Sequence, residues 1–159
     1  MTVTSMQRVQ HIPAGRGQTV VMAGGTYTVK ATKESTNGVL ALVEATVPPA
    51  CGPRPHVHTV ESEAYYVLSG ELEVLDGERT FTAKAGDFVF IPSGTLHRFR
   101  NTSVQTAKML FMFTPAGFEE LFLTAGLPTQ EGEPLPQWTS ENDRRVGELA
   151  PRYNWADHV

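Results

Sequence analysis

The sequence predicts an all-β barrel or sandwich that ends in a short helical tail. Three observations carry that prediction. About nine short runs are rich in β-branched and aromatic residues, turn dipeptides separate them at near-regular spacing, and the periodicity becomes helical after Thr114.

The first 18 residues are mostly polar and end in Gly15, Arg16, Gly17 and Gln18, an arm rather than a core element. Residues 19–22 form a run that stops at Gly24 and Gly25. Residues 27–31 stop in a polar stretch ending in Asn37–Gly38, a turn dipeptide. Residues 39–47 stop at Pro48 and Pro49, and residues 65–68 and 71–75 precede Asp76–Gly77, a strong signal for a short hairpin. Residues 80–83, 88–91, 96–101 and 107–114 complete the set. Thr114 then reads as a helix cap with Pro115 at the first helical position. Phe118, Leu121, Phe122 and Ala125 form an i, i+3, i+4, i+7 stripe, and Gly126 ends it. Residues 127–136 read as a linker. Ser140 with Asp143 opens a second short helix that packs Val146 and Leu149, and Pro151 stops it. The expected organisation is one domain: residues 1–33 an arm and strands, 34–114 the barrel core, 115–159 a helical tail.

A chain of 159 residues is long enough to bury a core without covalent staples. It is 40% hydrophobic and 19% charged, the balance of an ordinary soluble globular protein. The net charge is −4 and the cations are scattered, so neither nucleic acid nor an anionic membrane is an expected partner. The single cysteine, Cys51, permits no internal disulfide and fits a reducing compartment. Residues 1–16 lack the basic and apolar regions of a signal peptide, and no apolar run approaches the ~18 residues of a membrane span. The expected location is cytoplasmic.

Chemistry concentrates in two clusters. The first holds Gly52, His56, His58, Glu63 and Gly70; the second holds Gly86, Pro92, Gly94, His97 and Asn101. His56 and His58 are two apart, so on an extended strand both imidazoles project from one face, about 7 Å apart at Cα. Glu63 lies past a short turn and can return a carboxylate to the same point. His97 and Phe99 alternate with Arg98 and Arg100; charges belong in water, so His97 faces inward. Asn101 reads as a loop tie made by side-chain-to-backbone bonds. Glu61, in the turn, is expected to be a solvated loop charge. His11 and His158 lie in the termini as bystanders, and Cys51 has no partner that would activate it.

These clusters resemble the two motifs of the cupins, and the second follows its motif in every fixed position. One departure is visible: three residues, not five, separate Gly52 from His56. The resemblance is firm over residues 35–115. Residues 44–49, 63–68 and 114–119 extend it toward bacterial quercetin dioxygenase-like single-domain cupins. It implies a double-stranded β-helix (jelly-roll barrel) with an N-terminal strand extension and one or two short C-terminal helices. It also selects Glu63 over Glu61 as the ligating carboxylate.

The expected cofactor is one divalent transition-metal ion on His56, His58, Glu63 and His97. An N₃O set suits Fe, Mn, Co, Ni, Cu or Zn without choosing among them. Strand parity places Tyr65 and Val67 with Glu63, Phe99 with His97, and Met109, Phe111 and Phe113 together. Tyr65, Val67, Phe99, Phe111 and Phe113 are therefore the expected apolar and aromatic walls of a substrate pocket. Arg54, between Pro53 and Pro55, belongs at the barrel mouth, and a highly charged substrate is disfavoured. The leading expectation is a dioxygenase for an enolisable aromatic, flavonol- or polyketide-like small molecule. Glu63 would be ligand and general base, and O₂ the second substrate. The alternatives are a non-oxidative isomerase or polyketide cyclase, and a binding or sensing cupin without turnover. A homodimer is expected, because residues 19–22 and 27–31 supply strands beyond the minimal motif core, and proteins of this kind commonly pair through such strands.

Overall fold

The structure, a computed structural model, describes residues 8–157; of the expected terminal bystanders, His158 lies outside them. Ten strands run in order: β1 Gln18–Met22, β2 Gly25–Ala31, β3 Ala41–Val47, β4 His56–His58, β5 Ser62–Ser69, β6 Glu71–Asp76, β7 Arg79–Lys84, β8 Phe88–Ile91, β9 His97–Arg100 and β10 Ala107–Thr114. The tail adds α1 Glu119–Ala125, β11 Leu127–Pro128, α2 Ser140–Leu149, a 3₁₀ turn Ala150–Tyr153 and β12 Trp155–Asp157. The strands form two antiparallel sheets, ordered β11-β1-β2-β3-β10-β5-β8 and β12-β4-β9-β6-β7.

Alternation decides what each strand buries. In β3 and β10 every second residue is buried, so Met109, Phe111 and Phe113 face inward while Lys108, Leu110 and Met112 do not. The inward rings meet edge to face: Phe111 and Phe113 have centroids 5.4 Å apart at 89°. That geometry sets the positive rim of one ring against the negative face of the next. Tyr65 and Phe99 join the two sheets in the same way, at 5.7 Å and 87°.

The motif glycine and asparagine hold the loops that bring strands to the site. Gly52 has φ +141°, and a Cβ there would stand 2.3 Å from the carbonyl oxygen of Phe99. The shortened Gly52–His56 spacing therefore still uses glycine for a close backbone approach. Asn101, fully buried, donates from Nδ2 to the carbonyls of Val47 (2.8 Å) and Gln105 (2.7 Å) and accepts from the Ser103 N–H.

The tail departs from expectation in three places. Helix α1 starts at Glu119 instead of Pro115, because the buried Glu119 carboxylate takes the N–H groups of Gly117 and Lys33 and fixes residues 115–117 as a turn. Helix α2 is capped one residue earlier than expected: Thr139 is the cap, with Asn142 Oδ1 accepting the Thr139 N–H at 2.9 Å, while Asp143 accepts from Trp138 Nε1 at 2.7 Å. The expected linker and terminus each contain a short strand. β11 closes the outer edge of β1, and β12 closes the edge of β4.

That arrangement changes the basis of the dimer expectation. β1 lies between β11 and β2, and β2 between β1 and β3, so neither offers a free edge. Of the larger sheet's two terminal strands, β11 is two residues long and β8 is four. Beside β8, Tyr66, Leu68, Phe88 and Phe90 are exposed on the outer face. No helix is long and apolar enough to cross a membrane among the described residues.

Candidate metal centre

The two sheets contribute different donors to one point. β4 supplies His56 and His58, and β9 supplies His97, paired directly opposite His56. Glu63 comes from β5 in the facing sheet, where it pairs with Phe113 and Ile91. One ligand atom from each of the four lies within 4.8 Å of the others, and all four residues are buried. Glu63 Oε2 is 2.8 Å from His97 Nε2 and 3.2 Å from His58 Nε2.

Hydrogen bonds at the far side of two rings fix their tautomers. His56 Nδ1 lies 2.8 Å from the Arg54 carbonyl oxygen, and His97 Nδ1 lies 2.8 Å from that of Thr95. A carbonyl can only accept, so each Nδ1 carries the proton and each Nε2 keeps a lone pair. Those lone pairs converge on Glu63, itself an acceptor when ionised. Acceptors gathered in a buried place require a cation, and an N₃O set suits a divalent transition metal. The residues fit the ion.

The electrostatics agree. Burial, with the neighbouring charges of His97 and His58, pushes His56 down to about 3, so it stays neutral and able to ligate at ordinary pH. Burial alone would raise the Glu63 carboxyl. The hydrogen bonds and charges of His58 and His97 outweigh it and hold Glu63 at about 2. Burial also opposes protonation of His97, but the hydrogen bond and charge of Glu63 raise it above its usual value. A proton between His97 and Glu63 thus does, without the ion, what the ion does when bound.

Beside this cluster opens a cavity of about 350 Å³, reached by His56, His58 and Glu63. Phe99, Phe111 and Phe113 line it, as parity predicts. Tyr65 and Val67 do not; each is 1% exposed within the packed core. Burial pushes the Tyr65 phenol well up, so it stays protonated. The remaining walls are Tyr27 from β2, Phe118 and Phe122 around α1, and Trp138 and Trp155 from the tail. Phe118 and Phe122 were readable only as a core stripe, and Trp155 carried no sequence signal. Arg54 stands at the rim, paired with Asp157 at 2.9 Å and more than half exposed.

One expectation is corrected. Glu61 is 3% exposed rather than solvated; Asn154 donates to its Oε1 (3.3 Å), and a Cβ on Gly117 would stand 3.7 Å from the same oxygen.

A two-sheet barrel with three imidazoles and one carboxylate between its sheets is the architecture of a cupin. Residues 43–113 match the family model described as the cupin domain, and the two-sheet barrel fits that match. The chain is 27% identical over 125 residues to quercetin 2,3-dioxygenase of Bacillus subtilis (strain 168), covering 79% of this chain and 36% of that protein. It is 44% identical over 61 residues to polyketide synthase CurC of Streptomyces cyaneus, covering 38% of this chain and 39% of that one. The chain thus spans little more than a third of these two relatives. Among solved structures, a predicted oxalate decarboxylase from Thermotoga maritima superposes with TM-score 0.60 at 25% identity, covering 67% of this chain and 99% of that one. An RmlC-like cupin from Shewanella frigidimarina superposes with TM-score 0.59 at 22% identity, over 70% of this chain and 96% of the other, a likeness of fold.

Proposed function

We propose that this protein is a metal-dependent dioxygenase for an enolisable aromatic small molecule. The observation that carries the reading is the aromatic cavity opening directly onto His56, His58 and Glu63, with no cation inside it other than Arg54 at the rim. The similarity to quercetin 2,3-dioxygenase supports it. His56, His58, Glu63 and His97 hold one divalent ion, of Fe, Mn, Co, Ni, Cu or Zn. When bound, the ion supplies Lewis acidity that makes a coordinated enol more acidic. The aromatic walls hold the substrate ring flat and exclude water. Glu63, ionised at neutral pH, takes the enol proton. The enolate and O₂ then react, both oxygen atoms entering the product. Oxygen uptake with flavonols and aromatic diketones, assayed across the metal forms, tests this; no uptake with any of them overturns it.

A second reading is a non-oxidative cyclase or isomerase using the same enolate, favoured by the similarity to CurC. Product formation without oxygen uptake separates it from the first reading, and ligand binding without turnover marks a sensing cupin. The protein is also proposed to pair with a second copy through the β5–β8 face. There an exposed strand edge adjoins Tyr66, Leu68, Phe88 and Phe90, an arrangement two copies related by a twofold axis can cover mutually.

A further inference from the structure

Two of the three imidazoles are oriented by backbone carbonyls, and the third is not. His58 is 2% exposed, yet its Nδ1 has no hydrogen-bond partner among the described residues. Two other buried polar atoms share that condition close by: Glu61 Oε2 and Trp155 Nε1. A buried polar atom without a partner costs on the order of 1–3 kcal/mol, so three together call for a common solution.

The three belong to one place on two independent counts. Trp155 pairs directly with His58 across β12 and β4, and its neighbour Asn154 donates to Glu61 Oε1. From another direction, the Phe118 and His58 ring centroids lie 4.3 Å apart, and a Cβ on the neighbouring Gly117 would stand 3.7 Å from Glu61 Oε1. The Asn154–Trp155 segment thus reaches Glu61 by a side-chain bond and His58 by strand pairing, with the Trp155 ring edge to face against His56 and Phe118. The Asn154 carbonyl also accepts the N–H of Thr59, tying the turn between His58 and Glu61 to the same strand.

We infer that Glu61 is the positioning residue of His58, joined to it by one buried water. That water accepts from His58 Nδ1 and Trp155 Nε1 and donates to Glu61 Oε2. It satisfies all three atoms with the roughly three bonds typical of a buried water. The Nδ1–H so held leaves the His58 Nε2 lone pair facing the ion, as the Arg54 and Thr95 carbonyls do for His56 and His97. The inference rests on the metal reading above and adds a carboxyl group just outside the ligand set.

Long-range ¹H–¹⁵N spectra of chelated and zinc-loaded protein read the tautomer of each histidine. His58 is expected as the Nδ1–H form in the zinc-loaded protein; in chelated protein Glu63, 3.2 Å from Nε2, draws a proton to that side of the ring. Zinc affinity, read by competition with a chromogenic chelator, is expected to fall about tenfold in Glu61→Gln and between tenfold and a hundredfold in Glu61→Leu. Asn154→Gly suits the left-handed backbone at that position (φ 60°), removes the Oε1 contact and should leave zinc affinity unchanged. Wild-type zinc affinity in both Glu61 variants overturns the inference. Should Glu61→Leu fail to fold, the isosteric Gln variant still decides. If wild type binds no transition metal, the metal reading fails instead, while a high-resolution crystal structure of chelated protein still tests Glu61: a water shared by His58 Nδ1, Trp155 Nε1 and Glu61 Oε2 supports the inference, and its absence overturns it.

Discussion

The barrel strands from Ala41 to Thr114 and the tail from Glu119 to Asp157 reach the same cavity by different means. The strands place their side chains by register. His97 stands opposite His56, and Glu63 opposite Phe113, so a shift of one residue would turn each ligand to the outer face. The tail places its side chains by capping and edge pairing. Trp138 is held by Asp143 at the start of α2, and Trp155 by β12 against β4. The strands thus gather the four candidate ligands, and the tail shapes what lies over them. Changes in the strands should act on metal content and chemistry, and changes in the tail on which ligand fits.

The largest effect belongs to the strands. His58→Ala should abolish metal binding and activity together, since a buried three-ligand remnant loses both a donor and the packing of His58 against Phe113 and Phe118. Metal analysis of protein purified without a chelator or His-tag checks this; full occupancy in the variant would contradict the four-ligand site. Glu63→Gln comes next. Gln keeps the size and an acceptor oxygen but takes no proton, so turnover should fall by roughly 10² to 10⁴ while some metal remains. Near-full turnover at full occupancy would reduce Glu63 to a ligand alone.

Acid should act on the strands as well. Glu63 is held below its usual value, so its contribution is present above the unfolded carboxyl range and disappears as pH falls toward about 2. His56 is held at about 3, so the unfolded chain takes up a proton that the folded chain refuses, and stability again falls as pH drops from about 6.5. Chelated protein should therefore lose stability steadily below neutral pH by thermal melting, and added zinc should oppose the loss. A flat melting temperature between pH 6.5 and 4 would count against this electrostatic account.

The tail should respond more gently. Phe118→Leu removes one aromatic wall and its contact with His58 at a cost of about 1 kcal/mol, leaves metal content intact, and should raise the KM for aromatic substrates more than it lowers kcat. The smallest effect on the site is expected from Phe88→Glu with Phe90→Glu. Light scattering should show the wild type as a dimer and these variants as monomers, with metal content unchanged. A monomeric wild type would remove the pairing proposal.

What the sequence revealed follows the same division. Alternation in β9 and β10 and the spacing of the two histidine clusters were enough to orient His97, Phe99, Phe111 and Phe113, because period-two patterning is a local property. Tyr65 and Val67 share that parity, but parity names a face and cannot say whether a side chain meets a cavity or a neighbour. The burial of Glu61 was unreadable for a related reason. Its hydrogen-bond partner, Asn154, is remote in sequence. β11 and β12 are two and three residues long, too short to show alternation, and they exist only because a neighbouring strand has an open edge.

The pairing of β12 with β4 also bears on how the protein is made. Ala156 and Val57 pair although about a hundred residues separate them, a closure whose entropic cost grows only slowly with loop length. On a ribosome, the histidine-bearing edge of β4 emerges long before its cover is synthesised, so the nascent barrel passes through a stage with that edge bare. Aggregation during expression should therefore be most sensitive to residues 155–157, which cover that edge.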